Sequence, residues 1–256
     1  MCLISFIYKI HPQYKLILVS NRDEFRGRKT KPAGFWQKQP QLLAGMDVEH
    51  QGTWLGVTKQ GRFSAITNFR DGPRNTLPQE NSRGHLVRDY LLGNKNPFTY
   101  LFNFSDNAGD YEPFNLLVGD KDRLCFYSNK ERQIWELEAG VYALSNHLLN
   151  TPWPKTQTLK EFMEYQAGEW EVDVEKIFNF MLDTKEPDDD KLPDTGVGIE
   201  WERRMSPLFV TGEDYGTVSS TVILWDNDDN IYFAERTYRG DSKKFALKEF
   251  KFKIEM

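Results

Sequence analysis

Cysteine is scarce in this chain of 256 residues: there are two, Cys2 and Cys125. They form no CxxC pair and no zinc spacing, which excludes a disulfide framework and a structural zinc site. The four histidines, His11, His50, His85 and His147, show no metal spacing either. No metal and no cofactor is expected. Long apolar runs are missing too. None approaches the ~20 residues a membrane span needs. Basic charge is not in excess: the formal charge is −5, with both signs interspersed and no basic stripe. Nucleic acid is therefore not an expected partner. The start, Met-Cys-Leu-Ile, has no basic leader region, so no secretory signal is expected. Internal repeats, low-complexity tracts and long linkers are absent as well. A single soluble domain over residues 1–256, in the reducing cytoplasm, is the expectation.

What is present is concentrated in the first twenty-five residues. Leu3 to Tyr8 and Lys15 to Val19 are apolar runs around a His11-Pro12-Gln13 turn, which predicts a hairpin. The second run ends in Asn21-Arg22-Asp23-Glu24. Hairpin pairing folds this polar string back beside the chain start. Cys2 then lies near a cation, the setting that makes a thiol nucleophilic. With Met1 removed, Cys2 also carries an α-amine titrating at about 7.7–8.0. One residue then supplies both nucleophile and base. The plainer alternative is a small apolar Cys buried in a terminal strand.

The rest of the chain alternates strands and helix pairs. Residues 26–41 read as an aperiodic polar loop, and 52–67 as a second hairpin ending at Asn68. Ser82 and Pro97 open two helices. Residues 114–144 read as a four-stranded meander ending at Ser145-Asn146-His147. Helices are expected from about Lys155 and from Asp173, then an acidic loop over 184–199. Final strands are expected at 217–225, 231–236 and 247–254. Cys125, inside Leu124-Cys125-Phe126-Tyr127, reads as core. Several strands are apolar on both alternating faces, which demands a layer on each side. An α+β fold of two stacked sheets, each with an outer helical layer, meets that demand.

The motifs resemble those of the NRDE family, the group like Transport and Golgi Organisation protein 2. They are Met-Cys at the start, Ser-Asn-Arg-Asp-Glu-Phe, Gly-Thr-Trp-Leu-Gly-Val, Thr-Asn-Phe-Arg, Leu-Ser-Asn and Tyr-Gly-Thr. They run in order from Cys2 to Arg236. That family resembles the N-terminal-nucleophile (Ntn) hydrolases of the choloylglycine hydrolase and penicillin V acylase type. The resemblance implies a four-layer αββα sandwich and a processed N-terminal cysteine. It implies a small linear amide or acyl substrate, cleaved or transferred. The alternative is a non-catalytic carrier of haem or an acyl lipid on the same scaffold.

By that resemblance Cys2 is the nucleophile, and Asn146 and Asn68 support the oxyanion. As strand-end asparagines, both also suit simple turns. Within the polar string two alignments stay open. Matching the chemistry gives Arg22 and Asp23 the catalytic roles, the assignment we favour. Matching Phe25 gives those places to Asn21 and Glu24, which otherwise contact substrate with His147. Strand alternation separates Asn21 and Asp23 from Arg22 and Glu24. One departure stands out. Val218 occupies the place where the family pattern often has Arg. The positive charge then comes from elsewhere, or the scaffold binds without catalysing.

Overall fold

The structure is a computed structural model and describes residues 3–72, 81–240 and 242–255. The first half contains β1 (Leu3–Tyr8), β2 (Tyr14–Phe25), β3 (Thr30–Trp36), β4 (Gln39–Asp47), β5 (Leu55–Thr58), β6 (Phe63–Asn68), α1 (Arg83–Leu92) and α2 (Pro97–Ser105). Then follow β7 (Phe114–Gly119), β8 (Leu124–Ser128), β9 (Ile134–Glu136), β10 (Gly140–Leu144), α3 (Pro154–Gly168) and α4 (Val174–Phe180). The chain ends with α5 (Ile199–Arg204), β11 (Tyr215–Asp226), β12 (Asn230–Tyr238) and β13 (Phe245–Lys253).

The chain divides into two compact units. One comprises Met1–Arg28, Arg70–Asn75 and Ala139–Lys251; the other comprises Lys29–Phe69, Thr76–Glu138 and Phe252–Met256. The first is built on a six-stranded sheet in the order β10-β1-β2-β11-β12-β13. The β1–β2 hairpin expected from the apolar runs is there, with Leu3 opposite Asn21 and Ile7 opposite Ile17. Its neighbours β10 and β11 also run antiparallel. Odd positions of β1 and β2 face the helices. Leu3, Ile7, Ile17 and Val19 form one core with Leu159 and Met163 of α3, and with Ile177 and Phe178 of α4. Even positions are equally dry: Ile4, Phe6 and Leu18 are fully buried. A central strand covered on both faces is why its sequence reads apolar throughout.

The second unit holds the seven-stranded sheet, in simple sequence order β3 to β9. Helix α1 packs on β4 to β7 of this sheet through Leu86, Val87, Tyr90 and Leu91. Pro at the first turn and Asn96 start α2, the Asn96 side chain accepting from Thr99 N–H. Both are strong helix-opening signals.

Three expectations need correction. Residues 26–41 are not a loop, since Thr30–Trp36 is an edge strand and β4 begins at Gln39. Exposed Lys31 and Pro32 hide the pattern, and the pairing with β4 shifts register between Lys31 and Gly34. Edge strands tolerate Lys, Pro and bulges. The meander also breaks after β9, because β10 pairs with β1 in the other sheet. Local turns cannot signal such a change of sheet. Finally, the acidic stretch leads into a short helix, α5, that was not foreseen.

Candidate functional site

Cys2 and its neighbour Met1 lie outside the described residues, so the site is built from Leu3 onward. Leu3 pairs with Asn21, which brings the start of the chain to the polar end of β2. There the alternation expected from the sequence is observed. Asn21 faces the helical layer: its Nδ2 donates to the carbonyls of Met181 (3.0 Å) and Leu208 (2.7 Å). Its Oδ1 accepts from Ser220 Oγ at 2.5 Å. Asp23 shares that side of the strand and accepts from Thr217 Oγ1 at 2.6 Å. Arg22 and Glu24 share the other side, and Arg22 Nη2 lies 3.3 Å from Glu24 Oε2. Arg22 is 5 % exposed and Asn21 fully buried. The structure therefore pairs Arg22 with Glu24 and Asn21 with Asp23, so the favoured couple Arg22 and Asp23 is split between two faces.

Strand β11 completes this end of the sheet. Its pairing to β2 runs Thr217 to Asp23 and then Ser219 to Arg22. Val218 is the extra residue of a β-bulge, a device that re-aims a side chain beside a site. Ser219, in register with Arg22, has a buried Oγ without a hydrogen-bond partner among the described residues. Thr221 and Ser20 lie opposite each other on the same face, and Glu235 of β12 opposes Thr221. All three are buried. The Arg22 face is thus a buried patch of cation, carboxylate and hydroxyl. The sequence reading placed Ser219 and Glu235 within the strands at 217–225 and 231–236 without singling either out; the Ser-Ser-Thr run was the available signal.

Asn146 is buried just after β10, and its carbonyl accepts from Arg70 N–H at 2.7 Å. His147 follows it. Its Nδ1 donates to Thr151 Oγ1 (2.9 Å), whose own hydroxyl donates to Leu148 O. Burial holds the His147 pKa below the ordinary histidine value, against the opposing pull of Asp71. Asn68 closes β6 in the other unit, opposite Phe114. Cys125 is fully buried in β8, and burial pushes its thiol up to about 12. Among the described residues no group of His, Cys, Asp and Glu is placed to hold a metal.

The family model described as Transport and Golgi organisation 2 matches residues 1–240. The chain belongs to the Transport and Golgi organisation 2 family. The bovine Transport and Golgi organization protein 2 homolog is 34 % identical, the match covering 94 % of each chain. The human homolog is 33 % identical over 93 % of each. Two solved structures share the family member's fold. A Caenorhabditis elegans N-acylethanolamine-hydrolyzing acid amidase ortholog gives a TM-score of 0.53 at 12 % identity, covering 87 % of this chain and 92 % of that one. The C2A mutant of the conjugated bile acid hydrolase from Clostridium perfringens gives 0.51 at 8 % identity, covering 99 % and 97 %. The expected α+β fold is thereby shown, and so is the expected family. Among the described residues no helix is long and apolar enough to cross a membrane.

Proposed function

We propose that this family member is an Ntn-type cysteine amidohydrolase or acyltransferase in the cytoplasm, acting as one domain on a small linear amide. The observation that supports it most is the pairing of Leu3 with Asn21. It sets the residue after Cys2 against the polar string, on a fold shared with an acid amidase ortholog and a conjugated bile acid hydrolase. In this reading Met1 is removed and the Cys2 α-amine takes the thiol proton. The thiolate attacks the acyl carbon, and Asn146 and Asn68 donate to the oxyanion. The C–N bond breaks, the amine leaves with the proton, and a thioester remains on Cys2. Water, or another acceptor for a transferase, then releases the acyl group and restores the thiol.

Arg22 supplies the cation that favours the thiolate, which is how the site works with Val218 in the bulge. Asp23, bonded to Thr217, holds the strand end in register. Glu24 orients Arg22 and His147 borders the substrate. Asn21, whose amide is bonded to Met181 O, Leu208 O and Ser220 on the helical side, acts through the framework and not at the substrate. The test is an intact mass of the natively produced chain, then a panel of N-acyl amides of increasing acyl length. Loss of Met1 and turnover that vanishes in Cys2→Ser support the reading. A retained Met1, or no turnover anywhere on the panel, overturns it and leaves a binding scaffold.

A further inference from the structure

Glu202 lies in α5, just past the acidic stretch 184–199, and is 2 % exposed. A buried carboxylate is costly unless donors surround it. Glu202 has them. Its Oε1 accepts from Thr195 N (2.9 Å) and Thr195 Oγ1 (2.5 Å). Its Oε2 lies 2.9 Å from Nη2 of Arg70. The Arg70 guanidinium is fixed on further sides by Met205 Sδ at 3.3 Å and by the Trp153 ring, 4.8 Å to its centroid. The backbone of Arg70 donates to the Asn146 carbonyl, and Gly72 N–H donates to Thr195 O, each at 2.7 Å.

Three stretches without strand pairing of their own are laced together here: 70–72, 145–147 and 195–205. Asn146 lies beyond the end of β10, so the sheet does not hold it. The Arg70 amide does, and Glu202 holds Arg70. We infer that Glu202 is a positioning residue, acting through Arg70 to fix Asn146 where a developing oxyanion needs its donor. This rests on the reading of Asn146 given above. A displacement of about 1 Å at such a donor costs up to about a hundredfold in rate.

The test uses the full chain. In Glu202→Gln the amide carbonyl still accepts from Thr195, while an NH2 group confronts Arg70. By amide hydrogen exchange, Thr195 should keep its protection and Arg70 should exchange about tenfold faster or more. On the amide cleaved by the parent protein, kcat should fall about tenfold to a hundredfold, with KM within about twofold. The double variant Arg70→Met/Glu202→Met removes both buried charges and should recover stability. Its kcat should stay low. Unchanged Arg70 exchange in Glu202→Gln overturns the inference. So does a double variant whose kcat returns together with its stability. If the parent protein cleaves nothing, the amidase reading has failed, and the exchange measurement alone decides whether Glu202 holds Asn146.

Discussion

The two units bury polar groups of different kinds. In the unit of the six-stranded sheet, Arg22, Asp23, Lys155, Glu202, Glu235 and Arg236 are all buried. In the unit of the seven-stranded sheet, the buried polar side chains are Thr53, Thr58, Ser64, Thr67, Asn115 and Ser128, with Asp47 the one charged residue among those described. Hydroxyls and amides there bond within the sheet: Ser64 donates to Leu117 O and Asn115 Nδ2 to Thr67 Oγ1. Charges need built partners. Arg236 reaches Glu175 at 2.5 Å and lies between the rings of Phe178 and Phe245. Lys155 donates to Met205 O. Desolvating charge works against stability, so a fold that collects it in one unit does so for chemistry or for positioning.

The two cysteines give the largest test of this contrast. Cys125 belongs to the apolar unit, and with a pKa of about 12 its thiolate fraction at pH 7.5 is roughly 10⁻⁴ to 10⁻⁵. Cys2, the residue before Leu3 in the chain, should react with iodoacetamide at least about a thousandfold faster if it is the nucleophile. Timed alkylation with peptide mapping measures the ratio. Equal slow rates would erase the distinction between the units and the nucleophile with it.

The asparagines come next. Asn146 is buried with its carbonyl pinned by Arg70, whereas Asn68 is only half-buried at a strand end. A preorganised donor contributes more than a mobile one. Asn146→Ala should lower amidase kcat by about 10²–10³, and Asn68→Ala by about tenfold. Equal losses would show that both donors are held with the same rigidity.

Stability should divide the same way. Asn21→Ala strands two carbonyls and leaves the Ser220 hydroxyl with Tyr238 Oη alone, at 3.0 Å. The cost should be about 3 kcal/mol, read as a lower urea midpoint at unchanged m. Thr67→Val in the other unit removes one acceptor from Asn115 and should cost about 1 kcal/mol. A smaller loss for Asn21→Ala than for Thr67→Val would contradict the assignment of Asn21 to the framework of the first unit.

Much of this was legible in the sequence, and the exceptions have physical causes. The hairpin, the helix start at Pro97, the Asp173 cap and the buried Cys125 follow from periodicity, helix-start chemistry and an apolar neighbourhood, whereas Ser82 holds the N-cap position of α1 without a side-chain capping bond. The two faces of Asn21 to Glu24 follow from strand alternation, but which face meets the helices does not. Asn21 reveals that only through its bonds to Met181 and Leu208, 160 and 187 residues away. The bulge at Val218 is a mismatch between two strands, and neither strand carries it alone. Glu202 looks like any acid in a charged stretch until Arg70, far away in the chain, is placed beside it. β3 was hidden because an edge strand is selected for solubility as much as for pairing.

The smallest expected effect is a pH dependence that again belongs to the six-stranded unit. His11 is 5 % exposed in the β1–β2 turn. Its Nδ1 accepts from Gln13 N–H at 3.1 Å, and its Nε2 donates to Glu169 O at 2.9 Å. Both ring nitrogens are used, and only the neutral tautomer fits. A proton on Nδ1 would set two donors against each other. Burial lowers the His11 pKa, outweighing the Glu169 carbonyl, and burial lowers that of His147 as well. An unfolded histidine titrates at about 6.5. With a folded value below this, the unfolded chain takes up the proton first as pH falls. Stability is then complete above about pH 6.5, declines as pH drops from there toward the folded value, and levels off below it. Urea midpoints at pH 7.5 and 5.5 measure the decline. His11→Gln should reduce the difference between the two midpoints, because the glutamine amide still donates to Glu169 O and does not titrate. A His11→Gln protein with the full difference would place the decline elsewhere in the unit, and His147→Gln would then be expected to remove it.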